Sequence, residues 1–301
     1  MSRDRPTAPT TGPAEYPAAA IERALGDRAV AHPGSTKDRQ DYSVGVATDD
    51  ETADRVRQPQ FQPQRVNGRK GVRVIEKILP ASVACAEAFE DPADTVLFPE
   101  EQTMVAGAVD KRRREFATAR GCARSALATL GVAPAPILAG ERGAPQWPPG
   151  IVGSITHCAG YRAAAVAHAR QMLTIGLDAE PDQAMPDGVL DIVSLPAERA
   201  RLRDLAIMAP GTCWDRLLFS AKESVYKAWF PLARRWLGFE DADITVNTDG
   251  TFEARLLVTG PVIGGSPLDG FTGRWLASDG LILTAVATGI LGDGAAPQAF
   301  G

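Results

Sequence analysis

Asp178 and Glu180 stand two residues apart in the apolar run MLTIGLDAE (172–180). A strand sends residues i and i+2 to one face, so both carboxylates leave it together. At a separation of about 6.5 Å they repel by about 2–3 kcal/mol at an effective dielectric of 20. A cation or a proton offsets such repulsion, and oxygen donors without Cys or His suit a hard ion such as Mg2+. Alone, a D-x-E pair more often marks a strand running out into solvent. A second cluster shifts that weighting. In TCWDRLLFSAKESVYKAWFPL (212–232), Lys222, Glu223 and Lys227 gather on the polar side of an amphipathic helix, with Glu223 and Lys227 at i, i+4. As a surface ion pair they would contribute only about 0.3 kcal/mol. As a third carboxylate with two lysines they meet the needs of metal-assisted phosphoryl transfer. A metal bridges phosphate oxygens, a base positions the attacking hydroxyl, and a lysine meets the growing charge.

Upstream lies a cationic set, Lys111, Arg112, Arg113 and Arg114, followed by Arg120 and Arg124. The run opens a helix, whose positive end favours acids. It reads either as a solvated basic face or as a site for a phosphate-rich ligand, since guanidinium forks match phosphate oxygens. His157 closes the small-residue stretch GSITH; such a histidine is more often a core or turn residue, yet with Ser154 nearby it can hydrogen-bond a phosphate. GERGAP (140–145) adds Arg142 on a glycine-flanked loop, a candidate anion contact.

The elements that must position these groups read as an α+β chain. VRVIEKILP (72–80) reads as a strand, and 98–131 as one long helix stopped by Gly131. GIVGSITH and YRAAAVA read as strands joined at Cys158-Ala159-Gly160, and MLTIGLDAE as a strand ended by Pro181. A short helix falls near LPAERARLRDLA, before the amphipathic helix at 212–232. Two hairpins, 243–258 and 271–287, each carry Asp-Gly between alternating apolar runs. The expected organisation is a disordered N-terminal extension (1–70, with a short helix at 18–30), a first α/β half (71–175), a second (176–290) and a loose tail (291–301).

Composition narrows the classes. The 301 residues are 45% hydrophobic and 23% charged, close to the soluble globular average. No apolar run is long enough to cross a membrane, and MSRDRPTAPTTGPAEYP has no signal-like apolar region. The four cysteines show no metal spacing, which points to reduced thiols in a cytoplasmic protein. A net charge of −5 gives no global pull toward nucleic acid or acidic membranes, so neither is an expected partner.

Taken in order, GIVGSITHCAGYRAAAVA, IGLDAEP and WDRLLFSAKESVYKAWFPL resemble the signature blocks of the 4′-phosphopantetheinyl transferases. The likeness is to the larger, pseudo-dimeric branch, of surfactin and enterobactin type, that serves polyketide, nonribosomal-peptide and siderophore assembly lines in bacteria. KRRREFATARGCARSALATLG and GAPQWPPG resemble the stretches that precede those blocks. The resemblance spans about residues 72–290 and implies two similar α/β halves related by a pseudo-twofold, with coenzyme A in the cleft between them. By motif, Asp178, Glu180 and Glu223 would hold Mg2+ on the coenzyme A pyrophosphate. Lys222 would contact phosphate, Lys227 would steady the pyrophosphate or the leaving 3′,5′-ADP, and Ser154 and His157 would meet the 3′-phosphate end. Arg112 and Arg120, and less directly Arg142, would add phosphate contacts. Glu223, or a metal-bound water ordered by it, would take the proton from the serine hydroxyl of an apo acyl or peptidyl carrier protein. The resemblance further implies a monomer, and a carrier-docking face near the basic helix and the 181–211 loop. The long N-terminal segment has no counterpart in the family pattern. Of two rival readings, a Mg2+-dependent nucleotide phosphohydrolase explains the acids and bases but not the ordered blocks, and a nucleotide-binding scaffold without chemistry has against it that all three acids and both lysines are present.

Overall fold

The computed structural model describes residues 74–290. The expected extension (1–70), its helix at 18–30 and the tail (291–301) lie outside the described residues. The described chain is α+β, with two antiparallel sheets sharing an inner core and a 20-residue helix against the outer face of each.

The first sheet has the order β1-β3-β2. The chain enters through a short 3-10 turn, Ile75–Ile78, not the strand expected from VRVIEKILP. A three-residue period puts Ile75 and Ile78 on one buried side, and Glu87 accepts from Val74 N and Ile75 N, the donors a strand would offer to a ladder. Then come β1 (Ala84–Ala88), α1 (Pro99–Met104) and α2 (Asp110–Thr129). The single helix expected over 98–131 is therefore broken. Glu101 is fully buried and takes Phe98 N, Ile137 N and the Arg124 guanidinium, which anchors α1 across α2. Val109 at the break is extended. The stop at Gly131 holds: its φ is +74°, and the Gly131 and Val132 amides donate to Ala128 O and Leu127 O. α2 lays Cys122, Ala123, Ala126 and Leu127 on Ala164 and Val166 of the hairpin β2 (Ile151–Cys158) and β3 (Tyr161–His168).

β4 (Met172–Pro181) opens the second sheet, ordered β4-β10-β9-β6-β5. The boundary expected between residues 175 and 176 falls within this strand. After β4 the chain forms α3 (Val189–Val193), α4 (Pro196–Met208) and α5 (Trp214–Ala233). The hairpin β5 (Ala242–Val246) and β6 (Thr251–Leu256) follows, then a minor one, β7 (Val262–Ile263) and β8 (Ser266–Pro267). The last hairpin, β9 (Gly270–Ser278) and β10 (Leu281–Gly289), turns at Asp279-Gly280 with φ of 53° and 75°, as its Asp-Gly signal requires.

Alternation along β4 sorts its neighbours. Ile175, Leu177 and Ala179 join Ala163, Ala165 and Ala167 of β3 and Leu283 and Ala285 of β10 in the core between the sheets. Thr174, Gly176, Asp178 and Glu180 face α5. Gly176 makes this possible, because a Cβ there would sit 1.9 Å from Ser224 O. The free edge of β4 meets β2, where Leu177 N donates to Ser154 Oγ at 3.0 Å. That seam joins the two sheets and places GSITH beside GLDAE.

Candidate active site

The two expected carboxylates do leave one face of β4, and each meets a cation of α5. Lys227 Nζ donates to Asp178 Oδ1 at 2.9 Å, and Arg216 Nη1 donates to Glu180 Oε2 at 3.2 Å. Asp178 and Glu180 are 5% and 1% exposed, so their charges need these partners. Arg216 also donates to Gln183 O and Ala184 O, which ties the chain after β4 back onto the helix. Asp178 Oδ2 is buried and has no hydrogen-bond partner among the described residues. An orphaned carboxylate oxygen beside a second buried carboxylate is a donor set that suits a hard divalent cation. Glu223 borders the same cavity. Among the described residues, however, no three His, Cys, Asp or Glu side chains gather closely enough to hold a metal. Asp178 and Glu180 are each engaged by a helix cation instead.

The cavity measures about 1020 Å3 and lies between the two sheet-and-helix units. The ten residues to which the family resemblance gives a site role all line it: Arg112, Arg120, Arg142, Ser154 and His157 from one side, Asp178, Glu180, Lys222, Glu223 and Lys227 from the other. Arg112, Phe116 and Arg120 share one stripe of α2 at i, i+4, i+8, which explains why only part of the basic set arrives. Arg124 is spent on Glu101 and Val96 O, and Lys111, Arg113 and Arg114 are exposed. Arg112 Nη1 lies 2.6 Å from His157 Nε2. Arg120 donates Nε to Ile137 O and stacks 4.3 Å over the Phe116 ring. Burial pulls the Arg112 guanidinium below its ordinary range against the opposing pull of Glu115, and brings Arg120 down to about 10. Arg120 therefore stays cationic at neutral pH. Arg142, in the left-handed region at φ 52°, reaches over the Trp236 ring at 5.6 Å.

Lys222 departs from its expected role. Its ammonium, although the residue borders the cavity, donates to Phe239 O at 2.6 Å and Ala242 O at 2.8 Å and pairs with Glu198 at 2.9 Å. Three partners leave it no hydrogen for a phosphate. Glu198 is 1% exposed and also accepts from Leu195 N and Ile244 N, so the pair braces α4, α5 and β5. Burial lowers the Lys222 pKa, and Glu198 opposes that.

Further residues of this wall carry little or no signal in the sequence. Tyr226 buries its hydroxyl without a hydrogen-bond partner among the described residues, and its ring lies 5.0 Å from that of Trp236. Burial pushes this phenol up to about 12, so it remains a neutral donor. Its one signal was its place inside F-x-x-K-E-x-x-Y-K. Glu115 and Trp236 carried no signal beyond composition.

A family model described as 4′-phosphopantetheinyl transferase N-terminal domain matches residues 100–167, and one described as 4′-phosphopantetheinyl transferase superfamily matches residues 174–265. The transferase Svp of Streptomyces mobaraensis is 56% identical over 218 residues, which cover 71% of this chain and 89% of that protein. The chain belongs to the 4′-phosphopantetheinyl transferase superfamily. PptT of Mycobacterium tuberculosis is 51% identical over 223 residues, 71% of this chain and 97% of its own. Npt of Nocardia iowensis is 55% identical over 225 residues, 71% of this chain and 99% of its own. The N-terminal-domain match holds the cationic stripe of α2 and the GSITH strand, and the superfamily match holds β4 from Thr174 onward and α5. The cavity of this transferase thus draws its walls from both matched segments. Among the described residues no helix is long and apolar enough to cross a membrane.

Proposed function

We propose that this chain moves 4′-phosphopantetheine from coenzyme A to a serine hydroxyl of apo acyl and peptidyl carrier proteins, with Mg2+, releasing 3′,5′-ADP. One observation carries the reading: a single cavity sets cations of one half opposite a carboxylate pair of the other. Coenzyme A brings a 3′-phosphate and a pyrophosphate to such a wall. Ser154, His157 and Arg112 hold the 3′-phosphate end; Ser154 Oγ accepts from Leu177 N and keeps its hydrogen to donate. Arg120 and Arg142 add phosphate contacts, and Lys227 steadies the pyrophosphate and then the departing 3′,5′-ADP. Asp178, Glu180 and Glu223 would hold Mg2+, which when bound supplies charge neutralisation and polarises phosphorus. Lys222 acts as a brace and does not touch phosphate.

Glu223 takes the proton from the carrier serine as its oxygen attacks the pantetheine-bearing phosphorus. The bond from that phosphorus to the bridging oxygen breaks, and its electron pair leaves with 3′,5′-ADP. No covalent enzyme intermediate arises, and Cys158 is packing. The cleft lies between a first half, 71–175, and a second, 176–290, which meet at β4. The carriers belong to polyketide, nonribosomal-peptide and siderophore synthases. They dock near α2 and the 181–211 segment of a monomeric, cytoplasmic enzyme. Intact-mass spectrometry of an apo carrier domain after incubation with the protein, coenzyme A and Mg2+ tests this. A gain of one phosphopantetheine, lost with chelator or with Glu223→Gln, supports it. Turnover of coenzyme A without carrier modification would replace it by a phosphohydrolase.

A further inference from the structure

Behind the Arg112–His157 pair runs a line of alternating charge. Arg162, on β3, is the cross-strand partner of His157 and is 5% exposed. Its Nη2 lies 2.6 Å from Asp91 Oδ2 and 3.3 Å from Glu115 Oε1. Its Nη1 donates to Tyr161 O at 3.0 Å, which fixes the guanidinium to the end of the hairpin. The other oxygen of Glu115, Oε2, lies 3.8 Å from Arg112 Nη1, the nitrogen that meets His157 Nε2. The sequence from Asp91 to His157 therefore passes through two carboxylates and two guanidiniums, drawn from the β1–α1 loop, α2 and both strands of one hairpin.

A guanidinium only donates, so His157 Nε2 must accept and the ring proton must sit on Nδ1. A neutral imidazole in water favours the other tautomer, with its proton on Nε2. Something must hold Arg112 against that preference, and Glu115 is the anion placed to do it. Glu115 also borders the cavity, where its charge opposes an incoming phosphate. A carboxylate there lowers anion affinity unless its positioning of Arg112 outweighs the repulsion.

We propose that Glu115, itself held by Arg162 and Asp91, is a positioning residue that aims Arg112 at His157 and fixes the Nδ1–H tautomer, so that the pair presents a preset donor surface to the 3′-phosphate of coenzyme A. The inference rests on the 3′-phosphate subsite given above, and its sign separates positioning from simple electrostatics. If Glu115 acted only through its charge, Glu115→Gln would tighten phosphate binding. As a positioning residue its loss weakens binding.

Two measurements on the full chain test this. Long-range 1H–15N correlation spectra read the His157 tautomer without ligand, with His157→Gln providing the assignment among the three histidines. The wild-type ring carries its proton on Nδ1, and in Glu115→Gln it shifts toward Nε2–H. Transfer kinetics then compare coenzyme A with 3′-dephospho-coenzyme A. Glu115→Gln raises KM for coenzyme A by about tenfold, the worth of one charge-assisted hydrogen bond, and moves KM for the dephospho substrate less than twofold. Asp91→Asn, at a more exposed position, gives the same pattern at smaller amplitude and serves if Glu115→Gln fails to fold. An unchanged tautomer, or a lower KM for coenzyme A, overturns the positioning role. A shifted tautomer with equal KM changes for both substrates leaves the aim of Arg112 intact but overturns the 3′-phosphate assignment.

Discussion

Lys227 on α5 and Asp178 on β4 are joined by a 2.9 Å ion pair across the gap that Gly176 opens between strand and helix. Asp178 is 7% exposed at its side chain and Lys227 28%, so the carboxylate is fixed and the ammonium reaches the cavity. The pair works as one unit: Asp178 aims Lys227, and Lys227 offsets the repulsion between Asp178 and Glu180. Lys227→Met should lower kcat/KM for carrier modification by on the order of 10²–10³, the loss typical for one preorganised charge donor. Asp178→Asn should cost a comparable factor, and the double variant little more than either single one. Initial rates from intact carrier mass check this; multiplicative losses would show that the two act separately.

Lys222 and Glu198 form the buried counterpart of that pair, with a structural consequence. Lys222→Met leaves the Glu198 carboxylate buried without its cation and should cost about 3–5 kcal/mol. Urea unfolding followed by tryptophan fluorescence reads the loss. Adding Glu198→Gln should recover part of it, because the uncompensated charge is gone, although Leu195 N and Ile244 N use different carboxylate oxygens and only one of them keeps an acceptor. A wild-type urea midpoint for Lys222→Met would return Lys222 to the list of phosphate contacts.

What the sequence disclosed was set by local geometry. The i, i+2 rule put Asp178 and Glu180 on one face, and the helical period put Arg112 and Arg120 on one stripe. Asp-Gly marked both longer hairpins. What it hid depends on distant partners. Lys222 and Glu223 are adjacent in one motif, yet the fate of Lys222 is decided by Glu198 on another helix and by carbonyls of Phe239 and Ala242. The break between α1 and α2 follows from Glu101 reaching Ile137 N, 36 residues away. β1 reads ACAEA, without the β-branched or aromatic residues that mark strands, and owes its place to pairing with β3. Arg112 and His157 are 45 residues apart, and no spacing rule joins them.

Gly176→Ala should be among the most damaging single changes in the chain. The added Cβ would meet Ser224 O at 1.9 Å and Ala228 N at 2.7 Å, both backbone atoms that cannot rotate away. α5 would have to lift from β4, which uncovers Trp229 and Val225 and parts Lys227 from Asp178. Overpacking of this kind costs about 1–3 kcal/mol where side chains can yield, and more where only backbone can. The expected outcome is a strongly lowered Tm or loss of soluble protein. Calorimetry showing a Tm within a degree or two of wild type would mean that strand and helix separate more freely than this packing implies.

Alkaline stability gives an independent reading of the first half. Burial pushes the Cys122 thiol from its ordinary 9.0 up to about 12, with Glu87 adding to the effect. The folded state thus keeps the proton after the unfolded chain has lost it. Below pH 9 both states hold that proton, and the contribution of Cys122 is complete. As pH rises from 9 toward 12 the unfolded state binds fewer protons than the folded one, so stability falls. Cys122→Ala removes this part of the slope at the cost of a small cavity, which lowers stability by a similar amount at every pH. Urea midpoints at pH 8, 9.5 and 10.5 should therefore fall more steeply for the wild type than for Cys122→Ala. Parallel slopes would mean that the thiol ionises in the folded protein as readily as in the unfolded chain, and that α2 does not seal its contact with Ala164 and Val166 against water.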